Sequence, residues 1–206
     1  MRNILITPAV SWNRKKGFIF TIEKNWINYS NKLNFNLMIY NYDINFFKNN
    51  SNKIDGVILS GGNDIYFQKK DKNNLLRDKF ETTVLKYAIK KKIPILGVCR
   101  GFQFINNFFE GNQIKIKNHV RVNHEIVIKN YYFKKITKIN VNSFHNFAVM
   151  KVNEELKPTG IHKNDQSIEI AESQKLKILC LMFHPERYNR SQEVIDDYFK
   201  FFFKIK

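Results

Sequence analysis

Apolar residues fall along the first half of the chain in short unbroken runs, separated by stretches with helical spacing. Asn3 to Ala9 reads as a buried strand, Trp26 to Leu33 as a helix with Trp26, Tyr29 and Leu33 on one face, and Phe35 to Tyr40 as a second strand. Asp43 to Lys53 is polar and rich in Asn, a loop or a short helix ahead of the buried strand Gly56-Val57-Ile58-Leu59-Ser60, which ends in Gly61-Gly62-Asn63-Asp64. Leu75 to Lys92 repeats apolar residues at helical spacing, and its lysine-rich end suits a helix C-terminus. Pro94 blocks further helix and opens a fourth strand, Ile95 to Val98, followed by a helical segment from Phe102 to Phe109.

Strands that are apolar throughout and alternate with helices predict a doubly wound α/β fold, a mostly parallel sheet with helices on both faces. From Gly111 to Ile139 the pattern changes to alternation, with Val120, Val122, Ile126 and Ile128 apolar, which predicts a small antiparallel insertion or edge elements. Val141 to Val149 and Ile178 to Phe183 read as further strands. Ser191 to Phe203 reads as a closing helix with Val194, Ile195, Tyr198, Phe199 and Phe202 inward. No repeat or low-complexity linker divides the chain, so residues 1–206 are expected to form a single domain.

The run PILGVCRGFQ holds one of only two cysteines, Cys99, between two glycines. Burial of a structural thiol would not call for those glycines. Gly97-Val98-Cys99-Arg100-Gly101 has the spacing of a nucleophile elbow, a sharp strand-to-helix turn in which side chains two positions either side of the nucleophile would collide with backbone. A thiol at a helix N-terminus also feels the positive end of the helix dipole, which favours thiolate. Cys180, inside an apolar run, reads as core, and Asp64 as a turn residue.

A thiolate nucleophile needs a proton carrier, usually His held by a carboxylate. Of five histidines, His184 stands out, because the apolar run Leu179-Cys180-Leu181-Met182-Phe183 delivers His184-Pro185-Glu186 at its end. Residues two apart on an extended segment point the same way, so Glu186 can orient His184. His119 and His124 lie in the irregular middle without cysteines or acids at ligand spacing, and no metal is expected there. His162, followed by Lys163, is expected at the surface. In open α/β sheets, sites form at the carboxyl ends of strands, where Cys99, Gly61-Gly62 and His184 would meet.

In order along the chain, GVILSGGNDIY, PILGVCRGFQFIN, VNSFHNFAV, SIEIAE and LMFHPER resemble the class I glutamine amidotransferase-like superfamily, and within it the γ-glutamyl hydrolase branch. The resemblance runs from about Asn3 to Lys204. It implies a Cys99-His184-Glu186 triad that cleaves a γ-glutamyl amide through a γ-glutamyl thioester, and an oxyanion hole from the backbone N–H groups of Gly62 and Arg100. It places Gln103, Ser143, Phe144 and His145 at the glutamyl pocket, and counts Glu169, which aligns with an acidic residue of the family motif, among the substrate-binding residues as well. No cofactor is implied. Arg100 departs from the apolar residue that follows the cysteine in synthase-linked members and gives the Cys-Arg-Gly form of stand-alone hydrolases similar to γ-glutamyl-γ-aminobutyrate hydrolase. The proline common soon after Asp64 is missing, which bears on the leaving-group pocket. Compactness and the Cys-Arg-Gly form are also similar to hydrolases of γ-glutamyl-CDP-amidate in capsule phosphoramidate synthesis.

Charge then narrows the substrate. Lys and Arg number 35 against 18 Asp and Glu, a net of +17. The basic residues come in pairs and threes such as Lys69-Lys70, Lys90-Lys91-Lys92 and Lys134-Lys135, without the basic arm or aromatic interleaving of a nucleic-acid binder. The expected partner is an anionic small-molecule γ-glutamyl conjugate with a phosphorylated leaving group, with self-association left open. Two isolated thiols and no apolar run near the ~18 residues of a membrane span predict a reduced, cytoplasmic protein. Two other classes stay open: a glutaminase subunit that donates ammonia to a synthase, and a non-enzymatic basic binding protein on the same fold.

Overall fold

The short apolar runs pair with one another at the centre of the main sheet in the computed structural model, which describes residues 1–129 and 138–206. The Lys134-Lys135 pair, and part of the stretch read as alternating, lie outside the described residues. The chain begins with β1 (Asn3–Thr7), β2 (Ala9–Asn13), β3 (Gly17–Thr21), α1 (Lys24–Leu33), β4 (Asn36–Ile39) and α2 (Ile44–Asn50). It continues with β5 (Gly56–Leu59), α3 (Lys72–Lys91), β6 (Ile95–Val98), α4 (Arg100–Phe108), β7 (Asn112–Lys115) and β8 (Val120–Ile128). The last elements are β9 (Lys138–Phe144), β10 (Phe147–Lys151), β11 (Lys157–His162), β12 (Ile168–Ser173), β13 (Ile178–Leu181) and α5 (Gln192–Phe203).

The sheet order is β4-β1-β5-β6-β13-β12-β11-β8-β9, with β10 bridging β12 and β7. The first five strands are parallel, in registers such as Leu5 opposite Val57 and Ile58 opposite Leu96. From β12 onward the pairing is antiparallel. Alternate residues of one strand feed different layers. Ile4 and Ile6 pack with Trp26, Tyr29 and Leu33 of α1 and with Ile195, Tyr198, Phe199 and Phe203 of α5. Leu5, between them, packs with Phe47 of α2, Phe80, Val84 and Leu85 of α3, and Phe102 and Ile105 of α4. Each such side chain contributes about 1.5–3 kcal/mol over leaving it in water. Helices therefore cover both faces of a doubly wound, mostly parallel sheet. None of the described helices is long and apolar enough to cross a membrane.

Several expectations shift in detail. The segment from Val141 to Val149 is two strands, because the polar pair His145-Asn146 turns the chain between β9 and β10. In α5 it is Phe203 that is fully buried, while Val194 and Phe202 pack only partly. His162 is buried at the end of β11, contrary to its expected surface place, because β8 and β12 flank that strand. The β2–β3 hairpin was hidden in sequence by its exposed aromatics Trp12, Phe18 and Phe20; its turn is held by Asn13 Oδ1, which accepts from the Lys15 and Lys16 amides.

Candidate active site

Strand β6 ends at Val98 and α4 begins at Arg100, so Cys99 must make the whole reversal by itself. Its backbone sits at φ 51°, ψ −103°, a conformation costly for a residue with a side chain, of order 1–3 kcal/mol. The flanking glycines are what permit it. A Cβ on Gly101 would lie 2.0 Å from the Leu59 carbonyl oxygen, and one on Gly97 would lie 2.9 Å from the Gly101 carbonyl. The elbow is thus wedged against β5, with Cys99 at the start of α4.

At the end of β13 the chain enters His184-Pro185-Glu186. His184 Nδ1 is 2.7 Å from Glu186 Oε1, and both side chains are almost fully buried. Because a carboxylate accepts, the Nδ1 proton is committed to Glu186 and Nε2 is left to exchange protons. Burial disfavours the charged ring, but the Glu186 charge and a hydrogen bond with Cys99 outweigh it, so the His184 pKa is raised to about 10. That favours an imidazolium beside the Cys99 sulfur. The loop itself is clamped by Asn142 of β9, whose side chain accepts from the His184 amide at 2.9 Å and donates to its carbonyl at 2.9 Å. Asn189 adds a second donor to the same carbonyl at 3.0 Å.

The third component, the loop after β5, is held from behind. Gly62 takes φ 75°, and Arg77 of α3, fully buried, donates to the carbonyls of Ser60 (2.7 Å), Gly61 (3.1 Å) and Gly62 (2.7 Å). Glu81, one turn on, receives Arg77 Nε at 2.9 Å, the Thr7 hydroxyl at 2.6 Å and the guanidinium of Arg100. Burial opposes ionisation of Glu81, yet Arg100 and Arg77 hold its carboxyl below the ordinary value. Asp78 also pairs with Arg100. The Arg100 side chain is therefore spent in this buried network, and its backbone N–H, at the first position of α4, has no intrahelical acceptor. Sequence reasoning missed Arg77 and Glu81. Their signal was three charged residues, Arg77, Asp78 and Glu81, at helical spacing among apolar ones.

A cleft of about 290 Å³ opens over these groups, lined by Gly62, Cys99, Arg100, Gln103, Phe144 and His145 along with His184 and Arg187. Gln103 is fixed between the Phe147 carbonyl (3.0 Å) and Gln68 (3.1 Å). Phe144 meets His184 edge-on, and the Arg187 guanidinium lies over the Phe144 ring, 4.4 Å from its centroid. Two of the expected pocket residues do not line it. Ser143 is fully buried with its hydroxyl on the His119 carbonyl at 2.7 Å, and Glu169 is fully buried among histidines behind the cleft.

The glutamine amidotransferase class-I family matches residues 18–204. Among curated proteins, the γ-glutamyl-CDP-amidate hydrolase of Campylobacter jejuni is 37% identical over 150 residues, covering 73% of this chain and 70% of its own. Among solved structures, a Thermoplasma acidophilum protein provisionally described as part of a GMP synthase superposes with a TM-score of 0.73 at 20% identity, covering all of this chain and 94% of its own. A glutamine amidotransferase of Thermotoga maritima gives 0.65 at 15% identity over 90% of this chain and 76% of its own.

Proposed function

The chain belongs to the class I glutamine amidotransferase family, and from that premise we propose that it hydrolyses a γ-glutamyl amide with Cys99 as nucleophile, releasing glutamate. The observation that carries the reading is the meeting of Cys99, on its left-handed elbow, with the His184–Glu186 pair at adjacent strand ends. The Cys99 thiolate attacks the γ-carbonyl carbon, and the carbonyl oxygen gains charge facing the backbone N–H groups of Gly62 and Arg100. Each such donor is worth roughly 3 kcal/mol in the transition state. His184 gives its Nε2 proton to the leaving nitrogen as the C–N bond breaks, leaving a γ-glutamyl thioester. Water, losing a proton to His184 Nε2, then attacks the thioester, and the C–S bond breaks to return the thiolate and glutamate. Glu186 holds the ring through Nδ1 and exchanges no proton with the substrate.

The leaving group we propose is a nucleotide phosphoramidate, as in the substrate that names the Campylobacter relative, which would give the protein a place in capsule phosphoramidate synthesis. Two features support it. The net charge of +17 attracts phosphates. The β2–β3 hairpin is rooted on the oxyanion loop, where Asn63 exchanges two hydrogen bonds with Val10. It presents Trp12 and Phe18, packed edge to face, beside Arg14, Lys15 and Lys16, aromatic surface for a base and cations for phosphate.

The test uses purified protein with γ-glutamyl nucleotide amidate, γ-glutamyl-aminobutyrate and glutamine, reading glutamate release, together with labelling by an electrophilic glutamine analogue. Glutamate from the nucleotide conjugate and selective labelling of Cys99 are expected. Activity on glutamine alone, rising with a synthase partner, would make the protein an ammonia-donating subunit. Absence of both turnover and labelling would leave a binding protein on this fold.

A further inference from the structure

Four of the five histidines, His119, His124, His145 and His162, meet in one buried cluster behind the cleft although they come from separate segments. His119 precedes β8, His124 lies in it, His145 follows β9, and His162 ends β11. Ring centroids of His119 lie 5.0 Å from His124 and 4.8 Å from His145, and Glu169 of β12 stands among them with no solvent exposure.

The ring protons can be placed from the partners. His119 Nε2 is 2.6 Å from the Asp165 carboxylate, and His145 Nδ1 is 3.0 Å from the Phe147 carbonyl. Both partners only accept, so those nitrogens carry the hydrogens and a neutral ring turns a lone pair the other way. The nitrogens so exposed, His119 Nδ1 and His145 Nε2, face Glu169 Oε1 at 4.0 and 3.6 Å, and His124 Nε2 lies 3.4 Å from Glu169 Oε2. All three nitrogens, and Glu169 Oε2, are buried and make no well-aligned hydrogen bond among the described residues. A buried orphan of this kind costs about 1–3 kcal/mol, and here four point at one place. Lone pairs converging on a carboxylate call for a cation between them.

We infer that this cluster binds one divalent transition-metal ion of the zinc type, held by His119, His145 and Glu169 with His124 as the fourth donor. The donor atoms of His119, His145 and Glu169 lie within 4.8 Å of one another. Tetrahedral zinc with bonds near 2.0–2.1 Å needs its donors about 3.4 Å apart, so among these three the widest separation has to close by at most about 1.4 Å, and His124 Nε2, 3.4 Å from the other Glu169 oxygen, has to swing in to complete the set. Imidazole with a single carboxylate suits zinc and its neighbours, whereas calcium and magnesium require mainly oxygen. The outer support is already built: Asp165 and the Phe147 carbonyl hold the far nitrogens of His119 and His145, the arrangement that fixes ring orientation in metal sites. The ion would tie β8, β9 and β12 together, and through His145 it would set one wall of the cleft. This inference is independent of the hydrolysis proposed above.

The test is made in a Cys99→Ser parent, so that the catalytic thiol does not compete for metal. Metal content after purification, zinc titration with thermal melts, and the visible spectrum after cobalt loading are measured on the parent and on its Glu169→Gln and His124→Gln derivatives. One bound zinc, a melting temperature that falls on chelation, and a tetrahedral cobalt spectrum are expected in the parent. Affinity should fall at least about ten-fold in each derivative that folds. A parent that binds no zinc and melts alike with and without chelator overturns the site in favour of protonated histidines around Glu169. Parent-like affinity in either folded derivative places the metal elsewhere and also overturns it. Should neither derivative fold, the parent's cobalt spectrum decides, an octahedral one counting against.

Discussion

Arg77 donates to the Gly62 carbonyl at 2.7 Å from a helix that contributes nothing to the cleft wall, and the same guanidinium reaches Ser60 and Gly61. A side chain outside the cleft therefore sets the backbone that is proposed to receive the oxyanion. Lysine cannot reproduce that fork, since an ammonium is a point charge on a flexible stem. Arg77→Lys is expected to lower kcat by about 100-fold, the scale of an ångström's misplacement, with little change in KM. Steady-state kinetics alongside thermal melts checks this. A loss confined to stability, with kcat intact in the folded fraction, would make Arg77 purely structural.

Cys99→Ala should fold and lack turnover, with a loss of ~10⁴ or more in kcat, because one atom carries the covalent step. Its flanking glycine behaves differently. Gly101→Ala would drive a Cβ to 2.0 Å from the Leu59 carbonyl, and neither is a flexible group. That variant is expected to lose both stability and activity. Circular dichroism with glutamate release distinguishes the two; a stable, active Gly101→Ala would refute the close approach of α4 to β5.

Within the pair, His184→Ala should approach the cysteine variant in severity, while Glu186→Gln retains more rate, since the acid orients the ring at 2.7 Å and does not react. Comparing kcat of the two variants at one pH is sufficient. The reverse order would mean that Glu186 takes part in proton transfer.

Folding raises the His184 pKa from 6.5 to about 10, through Glu186 and Cys99 against the opposing effect of burial. A cation stabilised in this way contributes in full below 6.5, and the contribution is lost as pH climbs through 10. The difference in melting temperature between wild type and His184→Gln should therefore be largest at pH 6 and shrink toward pH 10. A difference that is flat or grows over that window would place the neutral ring in the folded protein.

What could be read from the chain was whatever lay close in sequence. The elbow glycines stand two residues from Cys99, Glu186 two from His184, and the apolar runs that became β5, β6 and β13 ended at the site as open α/β sheets require. Arg77 was not legible, because its partners Ser60, Gly61 and Gly62 come from a loop whose carbonyls carry no sequence signature. Nor was the histidine cluster. His119, His124, His145 and Glu169 have no ligand spacing along the chain and come together only because β8, β9 and β12 share a sheet. The β2–β3 hairpin escaped because its aromatic residues face solvent, so no core pattern marked it.

The substrate separates the chemistry of the triad from the charge around it. A pocket for γ-glutamyl conjugates of neutral amines gains little from a net charge of +17, whereas a nucleotide leaving group is attracted at long range and paired on arrival. Arg14, Lys15 and Lys16 at the hairpin tip are candidates for that pairing, because the hairpin root is joined to the oxyanion loop through Asn63. kcat/KM for a γ-glutamyl nucleotide amidate should exceed that for γ-glutamyl-aminobutyrate and for glutamine at low salt. The margin should narrow as ionic strength rises, since the Debye length falls from about 30 Å at 0.01 M to about 10 Å at 0.1 M. Replacing all three hairpin cations with Gln should remove most of the salt dependence while leaving hydrolysis of the neutral-amine conjugate unchanged. Equal kcat/KM values for the three substrates, insensitive to salt, would leave the γ-glutamyl chemistry standing and eliminate the nucleotide as leaving group.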